Sequence, residues 1–247
     1  MQINPLKLSE KIREIVCKTI DNTELRKYFR FRGGRWYGGI ATADCVGCCL
    51  KCVFCWGHST RDNPQEHGEY YTPLQVFNRI TKIAEKRGYN KIRVSGGEPT
   101  ISRNHLLQLL ELVDQTNYMF ILETNGILIG ADKTYAQQLS KYDNLYVRVS
   151  IKGCTPEEFS KLTGASPEDF SLQLKSLENL LDAGVACHPA VMLSFSTKDN
   201  IIKLLEKLRE IDTRLTNQVE EEYVILYPHV KKLLKKNKIW PFKAIEP

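Results

Sequence analysis

The chain has 247 residues, of which 42% are apolar and 26% charged, and its formal net charge is +6. That balance fits a soluble globular protein with one large core or two small ones. No apolar run approaches the ~20 residues that span a bilayer, and the opening residues mix charge and apolar positions unlike a secretory leader, so a cytosolic chain without disulfides and without membrane contact is expected.

In chain order, residues 6–30 read as two short helices broken near Asp21–Thr23. Residues 29–39 form a glycine-rich hinge. A β/α rhythm follows, with strands at 37–43, 91–95, 118–124, 145–153, 185–195 and 222–228. Helices are expected at 72–88, 104–115, 132–142, 167–184, 198–211 and 229–237. Proline in the first turn and glycine past the end bound the first of them. Six strands alternating with six helices imply parallel strands and right-handed crossovers. Several strands look apolar on both faces, as a sheet covered by helices requires. The expected fold is therefore α/β, either an open doubly wound sheet or a barrel, whole or partial. Both place chemistry at the carboxyl ends of the strands.

Positive charge gathers at both ends. Residues 1–36 carry nine Lys/Arg against four acids, and residues 231–238 carry five lysines and no acid. Such blocks suit a solvated helix face or an anionic partner. A division into a helical extension (1–36), a β/α body (37–230) and a basic tail (231–247) follows.

The chemistry concentrates after the first strand of the body. The stretch "DCVGCCLKCVFCWGH" (44–58) holds Cys45, Cys48, Cys49, Cys52 and Cys55. In a reducing compartment clustered thiols favour metal. Two ligand sets are available. Cys45 and Cys48 with Cys52 and Cys55 would make a tetrahedral zinc site, although zinc pairs usually stand a dozen residues or more apart. Cys48, Cys52 and Cys55 would hold three corners of an iron–sulfur cubane and leave the fourth iron open for chemistry.

The second set resembles a known superfamily. Cys48-x3-Cys52-Val53-Phe54-Cys55 is similar to the CxxxCxΦC signature of radical S-adenosylmethionine (radical SAM) enzymes. "GGEP" (Gly96, Gly97, Glu98, Pro99), at the end of the next strand, is similar to their second motif. The likeness covers roughly residues 36–230. Within the superfamily the chain most resembles the activating enzymes of glycyl-radical enzymes, which carry an Asp-Thr-Asn turn where this chain has Glu123-Thr124-Asn125. It departs from them at Ser150-Ile151-Lys152, where they carry Asp-x-Lys.

The resemblance implies a partial (β/α)6 TIM-like barrel with a short helical N-terminal extension. It implies a [4Fe–4S] cluster on Cys48, Cys52 and Cys55, and S-adenosylmethionine on the open iron. Glu98 would accept a hydrogen bond from the methionine ammonium, and Gly96 and Gly97 would let backbone approach the ligand, with Pro99 closing the turn. Phe54 would pack near the adenine. Glu123 and Thr124 would join the cofactor site. Ser150 would bond the ribose or carboxylate, Lys152 would balance the carboxylate, and His229 would line the adenine side. Trp56 and His58 would border the substrate pocket. Cys45 and Cys49 stand outside the ligand set, and a single cluster is expected. Cys17, Cys154 and Cys187 read as apolar fillers and His188 as structural.

An electron donor such as ferredoxin or flavodoxin is implied as partner. The substrate is unidentified, and a protein or anionic substrate is expected. The activity would be hydrogen abstraction, as in a glycyl-radical activase, a tRNA- or other nucleic-acid-modifying enzyme resembling wybutosine synthases, or a small-molecule enzyme. The alternative from another class is a zinc-stabilised module that binds nucleic acid through its basic ends.

Overall fold

In the computed structural model, which describes residues 2–247, the chain opens with α1 (Pro5–Val16). The Asn4 side chain caps it by accepting from the Lys7 N–H. The expected second helix is not there. Residues 17–34 form a hairpin of β1 (Cys17–Ile20) and β2 (Thr23–Gly34). Its two-residue turn places Asp21 and Asn22 at φ 46° and 62°, the left-handed geometry that matches strand twist. The residues taken for a break between helices are thus hairpin-turn formers, and the β-branched and aromatic residues around them favour strands.

The rest follows as β3 (Ile40–Cys45), α2 (His58–Asp62), β4 (Glu69–Tyr71), α3 (Pro73–Arg87), β5 (Lys91–Gly96), α4 (Arg103–Asp114), β6 (Met119–Thr124), α5 (Ile127–Ala131) and α6 (Lys133–Leu139). Then come β7 (Leu145–Ile151), α7 (Pro156–Thr163), α8 (Phe170–Asp182), β8 (Cys187–Met192), α9 (Lys198–Ile211), α10 (Thr213–Asn217), β9 (Glu220–Glu222) and α11 (Pro228–Lys236). Helix α3 shows how local sequence fixes the boundaries. Thr72 and Gln75 form a capping box, Pro73 occupies the first turn, and Gly88 ends the helix at φ 65°.

Strands β3, β5, β6, β7, β8 and β9 are parallel in that spatial order, and β2 extends the sheet antiparallel beyond β3. The result is a curved, partial (β/α)6 barrel. Among the described residues no ladder joins β9 to the opposite edge. The sixth parallel strand was expected at 222–228; it lies earlier, at Glu220–Glu222, and is shorter. The Val224 N–H turns to Ser194 Oγ and the Leu226 N–H to the Ile245 carbonyl, so the chain leaves β8 there. No helix of the described residues is long and apolar enough to cross a membrane.

Strands β5 and β7 are not apolar on both faces. In β5, Ile92 and Val94 face the helices, while Arg93 and Ser95 line the barrel cavity. In β7, Val147 and Val149 pack in the core, while Arg148 and Ser150 face inward. The alternation has period two because only the outer face meets helices; the inner face encloses a polar space.

His105 on α4 ties the hairpin to the barrel. It is 1% exposed. Its Nδ1 lies 2.9 Å from the Glu24 carbonyl and donates to it. Nε2 lies 2.9 Å from the Tyr28 hydroxyl and accepts from it. This arrangement needs the neutral ring. Burial accordingly pushes the His105 pKa down to about 4. An unfolded histidine titrates near ~6.5. The folded value is the lower one, so the stabilising contribution is complete above about pH 6.5 and is lost as pH falls towards about 4. Urea unfolding across this window should show the parent losing more stability than His105→Phe, by up to about 1.4 kcal/mol per pH unit. Parallel pH profiles for the two proteins would rule this linkage out.

Candidate active site

A cavity of about 760 Å³ opens at the carboxyl ends of the parallel strands. Cys48, Cys52 and Cys55, on the loop between β3 and α2, line one wall, with Phe54 between them. Cys45 and Cys49 do not line it and are fully buried. The Cys45 thiol sits beside the buried Arg26 guanidinium. A four-thiol zinc site would have to turn Cys45 away from that neighbour. Among the described residues, no three His, Cys, Asp or Glu side chains are grouped to hold one metal ion. A sulfur-only donor set on one cavity wall instead suits an iron–sulfur cluster, which is larger than an ion.

The electrostatics of the loop bear on how such a group is held. Burial pushes the Cys52 thiol up to about 12 and raises Cys55 as well. The Arg61 guanidinium opposes this at both, and the Lys152 ammonium does so most at Cys52. Arg61 is itself buried and held by Asp62 through two bonds of 2.9 and 2.7 Å. A hydrogen bond from the Cys49 thiol lowers Cys48 and raises Cys49. Thiolates formed here therefore meet two cations and one neighbouring donor, which offset their charge.

Glu98 is 2% exposed, and its carboxylate is turned into the protein. Oε1 accepts from the Thr100 N–H at 3.1 Å, the Thr100 hydroxyl at 2.7 Å and the Thr124 hydroxyl at 2.7 Å. Oε2 accepts from the Asn125 N–H at 2.8 Å. The carboxylate expected at a ligand ammonium thus already joins two strand-end turns. The glycines before it also have a packing reason. A Cβ on Gly97 would fall 2.2 Å from the Gly47 carbonyl oxygen, and one on Gly96 would fall 2.9 Å from that of Cys45. Only glycine brings this turn flush against the cysteine loop. Pro99 is buried in a 3-10 turn behind it and does not line the cavity.

The other expected residues gather at the cavity. Glu123 is ion-paired with Arg93 and accepts from Ser95 Oγ at 2.7 Å. Thr124 reaches Glu98. The Ser150 hydroxyl accepts from Arg148 at 3.0 Å, and Lys152 Nζ lies 3.4 Å from Glu222. Phe54 stacks on Phe195 at 5.6 Å. His229 donates to the Trp56 carbonyl at 3.0 Å and stacks on His58, closing the rim.

Sequence reading missed the charged inner face. Arg30 and Arg32 hold Asp44 at 2.7 and 2.8 Å. Arg148 holds Glu220 at 2.8 and 2.9 Å and Glu222 at 2.8 Å. Hydrogen bonds from His188 and Arg148 hold the Glu220 carboxyl down to about 2. The available signal was the lone arginine at alternate positions in "KIRVS" and "LYVRVS". Asn125, in the turn after β6, touches the Cys48 and Cys49 sulfurs.

The model of the radical SAM superfamily matches residues 44–208. A probable GTP 3′,8-cyclase of Methanococcus aeolicus is 33% identical over 144 residues, covering 56% of this chain and 44% of that protein. The curated relatives compared include several more probable GTP 3′,8-cyclases, and the chain spans about half their length. They are not glycyl-radical activating enzymes, the subgroup the turn at Glu123 suggested. Among solved structures, native anSMEcpe with bound AdoMet is 25% identical with a TM-score of 0.54, covering 72% of this chain and 50% of that one. TYW1 with a lysine-pyruvate adduct bound shares the fold over 96% of this chain and 90% of that one, at 16% identity and TM-score 0.53. The chain belongs to the radical SAM superfamily and is an enzyme of that type, using a [4Fe–4S] cluster and S-adenosylmethionine.

Proposed function

We propose that Cys48, Cys52 and Cys55 hold the cluster and that the cavity beside them admits S-adenosylmethionine together with a charged small-molecule substrate. The observation that carries this reading is the division of the five loop cysteines: these three line the cavity, and Cys45 and Cys49 do not. When bound, the cluster supplies one electron, drawn from an external donor, that breaks a carbon–sulfur bond of S-adenosylmethionine and leaves methionine and a hydrogen-abstracting 5′-deoxyadenosyl radical.

The chain's residues bind and orient. Glu98 fixes the Gly96–Gly97 turn, so its effect on the ligand ammonium is exerted through the backbone it positions. Phe54, backed by Phe195, offers an apolar wall for the adenine. Ser150 and Lys152 stand where a carboxylate or ribose would be received. Arg and Glu side chains line the remaining space, which suits a small molecule carrying charge. The relatives' name, GTP 3′,8-cyclase, also favours a charged small molecule over the protein substrate of an activase.

Iron analysis of anaerobically reconstituted protein should give about four irons per chain. Cys48→Ala, Cys52→Ala or Cys55→Ala should lose most of it, while Cys45→Ala should retain it. Comparable iron loss from Cys45→Ala would return the paired zinc-type set. With dithionite and S-adenosylmethionine, the loaded protein should release 5′-deoxyadenosine and methionine, seen by chromatography of the quenched mixture. The triple alanine variant should release none, and equal product from both would sink the reading. Glu98→Ala strips a buried carboxylate from four donors, so urea unfolding of the metal-free protein should show a loss of about 2–4 kcal/mol. A loss below about 0.5 kcal/mol would mean that the network does not fix the turn.

A further inference from the structure

Asn125 is the one polar side chain whose amide reaches the sulfur atoms of the cysteine loop among the described hydrogen bonds. It is 5% exposed. Its orientation is set rather than assigned by convention. Oδ1 accepts the Ile127 N–H at 3.0 Å in a local turn, and Gly126 takes the left-handed φ of 78° that such a turn needs. The amide nitrogen must then point the other way, where it lies 3.7 Å from Cys48 Sγ and 3.3 Å from Cys49 Sγ. A primary amide has two N–H donors, one for each sulfur. The backbone holds this placement from both sides: the Asn125 N–H donates to Glu98, and its carbonyl accepts from Gln173 at 2.6 Å. Neither bond uses the side chain. The amide nitrogen is therefore free to serve the sulfurs alone.

We propose that the Asn125 amide, with the Cys49 thiol beside it, donates hydrogen bonds to the Cys48 sulfur and so raises the reduction potential of the cluster. The proposal rests on the reading that Cys48 is a cluster ligand. Donors to a ligand sulfur withdraw charge from the metal–thiolate bond and favour the reduced, more negative state. The arrangement also gives Cys49 a function that ligation does not. Asn125 and Cys49 are positioning residues here, because they act through the ligand sulfur.

The test is an electron-paramagnetic-resonance redox titration of reconstituted protein without substrate. Asn125→Asp keeps the oxygen that accepts from Ile127 and replaces the N–H donors with a second oxygen. Cys49→Ala removes a neutral donor, and Cys49→Ser restores one. Asn125→Asp and Cys49→Ala should retain iron near the parent level and be about tenfold harder to reduce, a shift of about −59 mV for one electron. Cys49→Ser should stay within a third of that shift. If Asn125→Asp fails to hold iron, the Cys49→Ala and Cys49→Ser pair decides the matter. Midpoints unchanged from the parent in the iron-bearing variants would overturn the proposal while leaving the cluster assignment standing. A parent that binds no cluster would instead overturn the ligand assignment on which the proposal rests.

Discussion

The site is organised around a buried negative charge. The Glu98 carboxylate has almost no solvent, so it must be met by donors, and the protein supplies them from two different strand ends. One set comes from its own turn after β5. The other comes from Thr124 and Asn125 after β6. Asn125 then reaches on to the sulfurs of the loop after β3. Three loops that share no local sequence are thus positioned by one carboxylate. The contact of Gly97 with the Gly47 carbonyl locks the remaining edge, since no side chain fits between them. The glutamate expected at a ligand ammonium also sets the shape of the backbone around the cavity.

A second constraint acts on the inner face. A half-barrel that encloses a polar space cannot line it with apolar side chains alone, and charges placed there need partners. Each charged strand solves this with a neighbour. Asp44 meets two arginines from β2, Glu123 meets Arg93, and Glu220 and Glu222 meet Arg148. The outer face stays apolar against the helices. The same alternation therefore serves packing on one side and ligand polarity on the other.

Much of this was legible in the sequence because the signals were short-range. The cysteine spacing, the glycine turn and the β/α rhythm each lie within a few dozen residues, and the expected site residues other than Pro99 and His58 line the cavity. What escaped was non-local or two-valued. Residues 17–30 read as helical, although Asp21 and Asn22 supply a hairpin turn. The partners of Arg148 lie 72 and 74 residues away, and nothing near Arg148 in the chain announces them. The donors to Glu98 on the neighbouring turn are 26 and 27 residues off. The sixth strand was expected at 222–228 and lies at 220–222, because the apolar run at 223–226 pairs with the tail rather than with β8.

The grip of Arg148 on Glu220 and Glu222 has a mechanical consequence. Arg148 is on β7 and its partners are on β9, so the side chain passes over β8. In a flat sheet those two strands stand roughly 9.5 Å apart. Curvature brings them within the span of one guanidinium, and the guanidinium in turn holds a strand of only three residues in place. Strand β9 is an edge with a short ladder, and much of its anchorage is a side chain that also faces the cavity. Any anion that takes an oxygen's place on Arg148 therefore competes with the rim of the barrel itself. Ligand entry and the bend of the sheet at this edge draw on the same set of donors.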